Sequence, residues 1–267
     1  MKRKLGMLET QFFAYAQMRK LRTVRAGDLV ASVLKLAPEQ ERKLLSRLAR
    51  GGLIARVRQG LYLVPPGLPM GGAWTPSEAL ALNALMEDAK GRYQICGSNT
   101  FNHYGFDDQI PNRIYAYNNR ISGDRTVGAV EMTLIKVADA RLGDTTDVVM
   151  RDGEKAIYSS RTRSLVDAVY DWSRFNSLPR AYEWIRNDMI KNRLNVEELV
   201  TITLRFGNTG TIRGIGALLE REGVEEPLLR KLEQVLNQTR SMIPWIPRLP
   251  KRGKFSRRWG VVLNEPA

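Results

Sequence analysis

Side chains that perform covalent or metal chemistry are scarce in this sequence. Cys96 is the one cysteine and His103 the one histidine. A disulfide or thiolate cluster therefore cannot form within one chain, and imidazole-dependent chemistry rests on a single ring. Asp144, Asp147, Asp152, Glu154 and Lys155 stand near one another, and carboxylates beside a lysine are the groups that hold magnesium at a scissile phosphate. A metal-dependent nuclease is thus the enzymatic alternative. Against it, no acid, spacer and lysine share one strand, and Asp152-Gly153 is better used as a tight turn. Gly207, Gly210, Gly214 and Gly216 lack the lysine and hydroxyl of a phosphate-binding loop. His103 reads as a helix-end histidine bonding a carbonyl, and Asp167 as a carboxylate bonded to backbone or to an arginine. The expectation is no catalytic residue, no metal and no cofactor.

The chemistry that remains is recognition of a polyanion. The formal net charge is +14 and unevenly placed: residues 1–72 carry 14 Lys or Arg against 4 Asp or Glu, residues 73–239 carry 21 against 23, and residues 240–267 carry 7 against 1. A local excess makes a surface potential that an even spread does not. In the head, the spacing of Leu44, Leu45 and Leu48 turns them inward on a helix and leaves Gln40, Arg42, Lys43, Ser46, Arg47 and Arg50 outside. In the major groove arginine contacts guanine and glutamine contacts adenine, so these six are the candidate reading face. Arg56 and Arg58, with Lys2, Arg3 and Lys4, are candidate phosphate holders. A solvated surface or a protein-docking face is the plainer alternative. In the tail, Trp245, Phe255 and Trp259 interleave with Arg248, Lys251, Arg252, Lys254, Arg257 and Arg258. That mixture suits nucleic acid or an acidic protein surface, or else a segment that packs its rings on the body and leaves its cations in water.

The elements that must position these residues are legible in outline. Residues 5–18, 25–34 and 38–50 read as three helices, the last opening on Pro38 and closing at Gly51-Gly52. Residues 53–57 and 61–64 read as strands around Arg58-Gln59-Gly60, a wing. Helix, helix, helix, hairpin is the order of a winged helix-turn-helix, assigned here to residues 1–68. Pro65-Pro66-Gly67-Leu68-Pro69-Met70-Gly71-Gly72 reads as a linker. After it, Thr75-Pro76-Ser77-Glu78 starts a helix with Thr75 as its cap. Short apolar runs at 93–96, 114–117, 130–137, 148–150 and 156–158 read as strands, and a helical period returns at 162–173, 178–190, 195–205, 211–222 and 227–238. The fold class is therefore α+β: a winged helix-turn-helix, then a larger mixed domain over 73–243 with strands first and a helical C-terminal half, then a basic aromatic tail over 244–267. No apolar run is long enough for a membrane span, and the start lacks a signal peptide's apolar stretch, so a cytoplasmic location is expected.

Three segments resemble one family. Residues 48–62, Leu48-Ala49-Arg50-Gly51-Gly52-Leu53-Ile54-Ala55-Arg56 and onward to Tyr62, are similar to the helix-plus-wing signature of the AbiEi antitoxins. Those are the regulatory half of the AbiE (type IV) toxin–antitoxin systems. Residues 96–111, around Asn102-His103-Tyr104-Gly105-Phe106, resemble the segment opening that family's second domain, and residues 207–220, around Thr211-Ile212-Arg213-Gly214, its late helical motif. The chain departs from the pattern at Gly214, where a second arginine is expected, and in the tail beyond Ile243. The resemblance implies a head that represses its own operon through inverted repeats in double-stranded DNA, and a body that opposes a nucleotidyltransferase-type toxin. One reader helix per chain covers one half-site, so a homodimer on the palindrome follows. A transcriptional regulator with no antitoxin role is the alternative.

Overall fold

The structure, a computed structural model, describes residues 5–32, 34–69, 73–237 and 241–265. It is mixed α+β and divides into two compact units, one of residues 1–94, 112–142 and 147–157, the other of residues 95–111, 143–146 and 158–267.

The first unit opens with α1 (Met7–Met18), β1 (Thr23–Arg25), α2 (Pro38–Arg50), β2 (Ala55–Arg58) and β3 (Leu61–Leu63). The three strands form one antiparallel sheet in the order β1-β3-β2. α2 begins on a proline, whose missing N–H is not needed at that position. It ends at Gly52, which takes a φ of +69°, while Leu53 N–H donates to the Leu48 carbonyl at 3.0 Å. Phe12, Phe13 and Ala16 of α1 and Leu44, Leu45 and Leu48 of α2 share one core with Val24, Leu29 and Ile54.

Residues 25–34 are not the expected helix. Thr23–Arg25 instead pairs with β3, and the segment after it is a series of turns. Gly27 takes a φ of +99°. The Glu41 carboxylate, 3% exposed on α2, accepts the Gly27 N–H at 2.7 Å and the Leu29 N–H at 2.8 Å. A buried carboxylate thus supplies the acceptor for two N–H groups of the turns.

The same unit continues with α3 (Glu78–Asp88), capped by Ser77 rather than Thr75: the Ser77 hydroxyl accepts the Leu80 N–H at 3.2 Å. A six-stranded sheet has the order β6-β7-β5-β4-β9-β8, from β4 (Tyr93–Ile95), β5 (Ile114–Asn118), β6 (Gly123–Val127), β7 (Val130–Lys136), β8 (Thr145–Val149) and β9 (Lys155–Ser159), of which residues 95, 145–146 and 158–159 are counted with the second unit. β5 and β7 run parallel, while β6 and β7 form a hairpin turned at Gly128, φ +63°. The expected linker's Met70, Gly71 and Gly72 lie outside the described residues.

The second unit holds α4 (Ser98–His103), α5 (Arg161–Tyr170), α6 (Trp172–Phe175), α7 (Arg180–Ile190), α8 (Val196–Phe206), α9 (Thr209–Arg221) and α10 (Glu226–Glu233). The last expected helix stops at Glu233, and residue 238 lies outside the described residues. The tail closes the chain with a three-stranded sheet, β10-β12-β11, made from β10 (Ile243–Pro244), β11 (Lys254–Ser256) and β12 (Val261–Leu263). Trp245 and Trp259 are buried in the helical core. Gly214 and Gly216 of α9 make that possible. A Cβ on Gly214 would meet the Tyr182 hydroxyl and one on Gly216 the Trp259 ring, so the arginine expected after Arg213 has no room. Arg213 itself is buried, donating to the carbonyls of Trp259 at 2.6 Å and Gly260 at 2.8 Å, and to that of Ser241.

Candidate nucleic-acid interface

α2 sorts its residues sharply. Glu41, Leu44, Leu45 and Leu48 are buried, while Gln40, Arg42, Lys43, Arg47 and Arg50 are exposed and Ser46 is half-buried. The helix therefore carries five of the six candidate reading residues on open surface. Their freedom differs. The Lys43 ammonium lies 2.8 Å from Glu39 one turn earlier, both well exposed, a pairing that solvent weakens. Arg47 is held at 2.9 Å by Glu9 of α1, and Gln40 accepts the Ala37 N–H at 3.2 Å, closing the first turn. Arg42 and Arg50 have no hydrogen-bond or ion-pair partner among the described residues. They are the least committed donors on the face.

The hairpin after α2 places Arg56 and Arg58 on its exposed positions, alternating with the buried Ala55 and Val57. Arg56 is likewise unpaired among the described residues. Arg58 is not: its guanidinium grips Asp88 at the end of α3 through Nε at 2.5 Å and Nη2 at 2.7 Å, and Arg25 reaches the same carboxylate at 2.8 Å. The Arg58 hydrogen bond, with Arg25 behind it, holds the Asp88 carboxyl down at about 2. The candidate phosphate holder Arg58 thus fastens the hairpin to α3, and Arg25 joins the basic surface unannounced by the sequence, since its expected helix does not form. Lys2, Arg3 and Lys4 lie outside the described residues.

The residues weighed for catalysis are dispersed into separate partnerships. Asp144 accepts from the Ser160 hydroxyl, Glu154 pairs with Arg22, Asp152 accepts the Glu154 N–H at 3.1 Å, and Asp147 stands 3.8 Å from Lys155. Among the described residues no three carboxylate, imidazole or thiol groups gather as a metal site. Asp167 is fully buried with Arg163 at 3.0 Å, and that arginine packs over the Phe206 ring at 3.7 Å. His103, at the end of α4, bonds no carbonyl among the described residues. Its ring lies 4.8 Å from those of Tyr104 and Tyr158, and desolvation lowers its pKa.

A crystal structure of the RV2827C protein from Mycobacterium tuberculosis is similar to this chain, with a TM-score of 0.58 at 14% identity over 97% of this chain and 92% of that one. The likeness is one of fold. No family model and no curated protein matches the sequence.

Proposed function

We propose that this protein is a DNA-binding antitoxin of the AbiEi kind, which represses its own operon and counteracts a nucleotidyltransferase-type toxin. The observation that carries the DNA-binding half is the outer face of α2, where Arg42, Lys43 and Arg50 are exposed opposite a buried stripe. A helix, a short strand, turns, the basic helix, then a hairpin whose second strand pairs with the first strand of the set support a winged-helix reading of the surroundings. In that fold the basic helix enters the major groove and the hairpin follows the backbone. Arg42, Lys43, Ser46 and Arg50 read bases, and Arg56 holds a phosphate.

Electrophoretic shift of the DNA upstream of the coding sequence tests this reading. Replacing Arg42, Lys43 and Arg50 together by alanine should abolish the shift at physiological salt, and unchanged affinity would sink the assignment. The antitoxin half rests on the family resemblance and is tested by co-expression. The neighbouring gene should be toxic alone and tolerated beside this protein, whereas a harmless neighbour favours a plain transcriptional regulator.

A further inference from the structure

The tail holds a surface that the DNA-binding reading does not use. A groove of about 350 Å³ lies between the end of α9 and β11, lined among others by Glu220, Arg221, Lys254, Phe255, Arg257 and Arg258. Two of its arginines are committed. Arg258 is held by Glu226 and Glu233 at 2.8 Å and by Glu220 at 3.3 Å, and Arg221 by Glu265 at 2.9 Å. Lys254 and Arg257 are exposed and have no ion-pair partner among the described residues, and the Phe255 ring between them is 57% exposed. β11 is also an end strand of its sheet, paired to β12 on one side, with no strand on the other among the described residues.

We infer that the β11 edge and its groove bind an extended acidic peptide segment of a partner protein, which adds as a strand beside Lys254, Phe255 and Ser256. An open strand edge offers backbone donors and acceptors that an extended chain satisfies residue by residue. Alternating side chains of the guest then meet Phe255 and the two free cations. The same cations repel basic strands that would otherwise pair there and favour a guest that carries carboxylates. Charge complementarity is strong, with 7 Lys or Arg against 1 acidic residue across 240–267. Single-stranded nucleic acid fits less well. Successive bases need a row of aromatic faces, yet Trp245 and Trp259 are buried and Phe255 is the one exposed ring of the three.

The test selects random ten-residue peptides displayed on phage against the full chain, with K254E/R257E as counter-target. Both residues are exposed, so this variant should keep its melting midpoint. Enriched peptides should carry net negative charge alternating with apolar residues. A labelled representative should bind the variant roughly tenfold more weakly, and N-methylating its alternate amides should cost about as much again, as strand addition requires. Equal enrichment on both proteins, or an N-methylated peptide that binds undiminished, overturns the inference. So does a labelled single-stranded ten-nucleotide DNA that binds more tightly than any selected peptide and loses affinity in the same variant. Shift of upstream DNA by α2 should persist in K254E/R257E, so this inference and the DNA-binding reading fail independently.

Discussion

Two carboxylates govern the head more than any of its cations. Glu41 is the buried acceptor in the turns ahead of α2, taking the N–H groups of Gly27 and Leu29, while Asp28 accepts the Arg25 N–H at 2.7 Å. Charge-assisted bonds to a buried group contribute on the order of 1.5–3 kcal/mol each. Replacing Glu41 by alanine should therefore cost roughly 3–6 kcal/mol in chemical unfolding, with glutamine, which keeps one acceptor oxygen, losing about half. A loss within ~0.5 kcal/mol of zero would show that the turns hold themselves. Asp88 restrains Arg58 and Arg25 in the same manner. Its folded pKa, about 2, lies below the ordinary carboxylate value. The stabilisation is thus present above the unfolded pKa and is lost as pH falls toward 2. Asp88→Asn should remove that acid-dependent loss. It should also free both guanidiniums, steepening the salt dependence of DNA binding by up to ~0.9 per phosphate newly contacted. An unchanged salt slope would mean that neither arginine reaches the duplex.

At the scale of elements, periodicity located what burial dictates and missed what single polar bonds dictate. The leucine spacing of α2 and its Pro38 and Gly52 ends were readable because each acts through local sequence. The apolar residues of 25–34 imitate a helical period, and the turns are held instead by strand pairing of Arg25, by Asp28 and by the distant Glu41. Glu41 sits three residues before Leu44, on the inward stripe, which is the signal that a buried acceptor was needed. β6 is not legible in the sequence because four of its five residues are exposed, a glycine and three polar residues, and it exists through backbone pairing with β7. On α9 the glycines that fail as a phosphate loop are packing positions. Gly216→Ala would place a Cβ 2.3 Å from the Trp259 ring, and overpacking of this kind costs typically ~1–3 kcal/mol. The variant should lower the melting midpoint and alter tryptophan fluorescence, while an unperturbed spectrum would show that the tail accommodates the methyl group.

For the whole molecule, the proposed DNA-binding role raises the question of how one candidate reading face per chain would achieve specificity. A single α2 would cover only a few base pairs, and a phosphate contact from exposed Arg56 would add affinity that carries no sequence information. Useful discrimination therefore asks for two copies on a symmetric site, with half-site centres about 34–36 Å or a multiple apart, so that both α2 helices meet the major groove on one side of the duplex. Footprinting of the upstream DNA should show an inverted repeat protected with two chains per duplex. Inserting five base pairs between its halves rotates one face by about half a turn, and should weaken binding far more than inserting ten. Arg42→Ala should relax preference at the same position of each half-site, by about 1–3 kcal/mol, whereas Arg56→Ala should weaken all sequences alike. Binding with one chain per duplex and no sensitivity to the five-base-pair insertion would place recognition in a monomer.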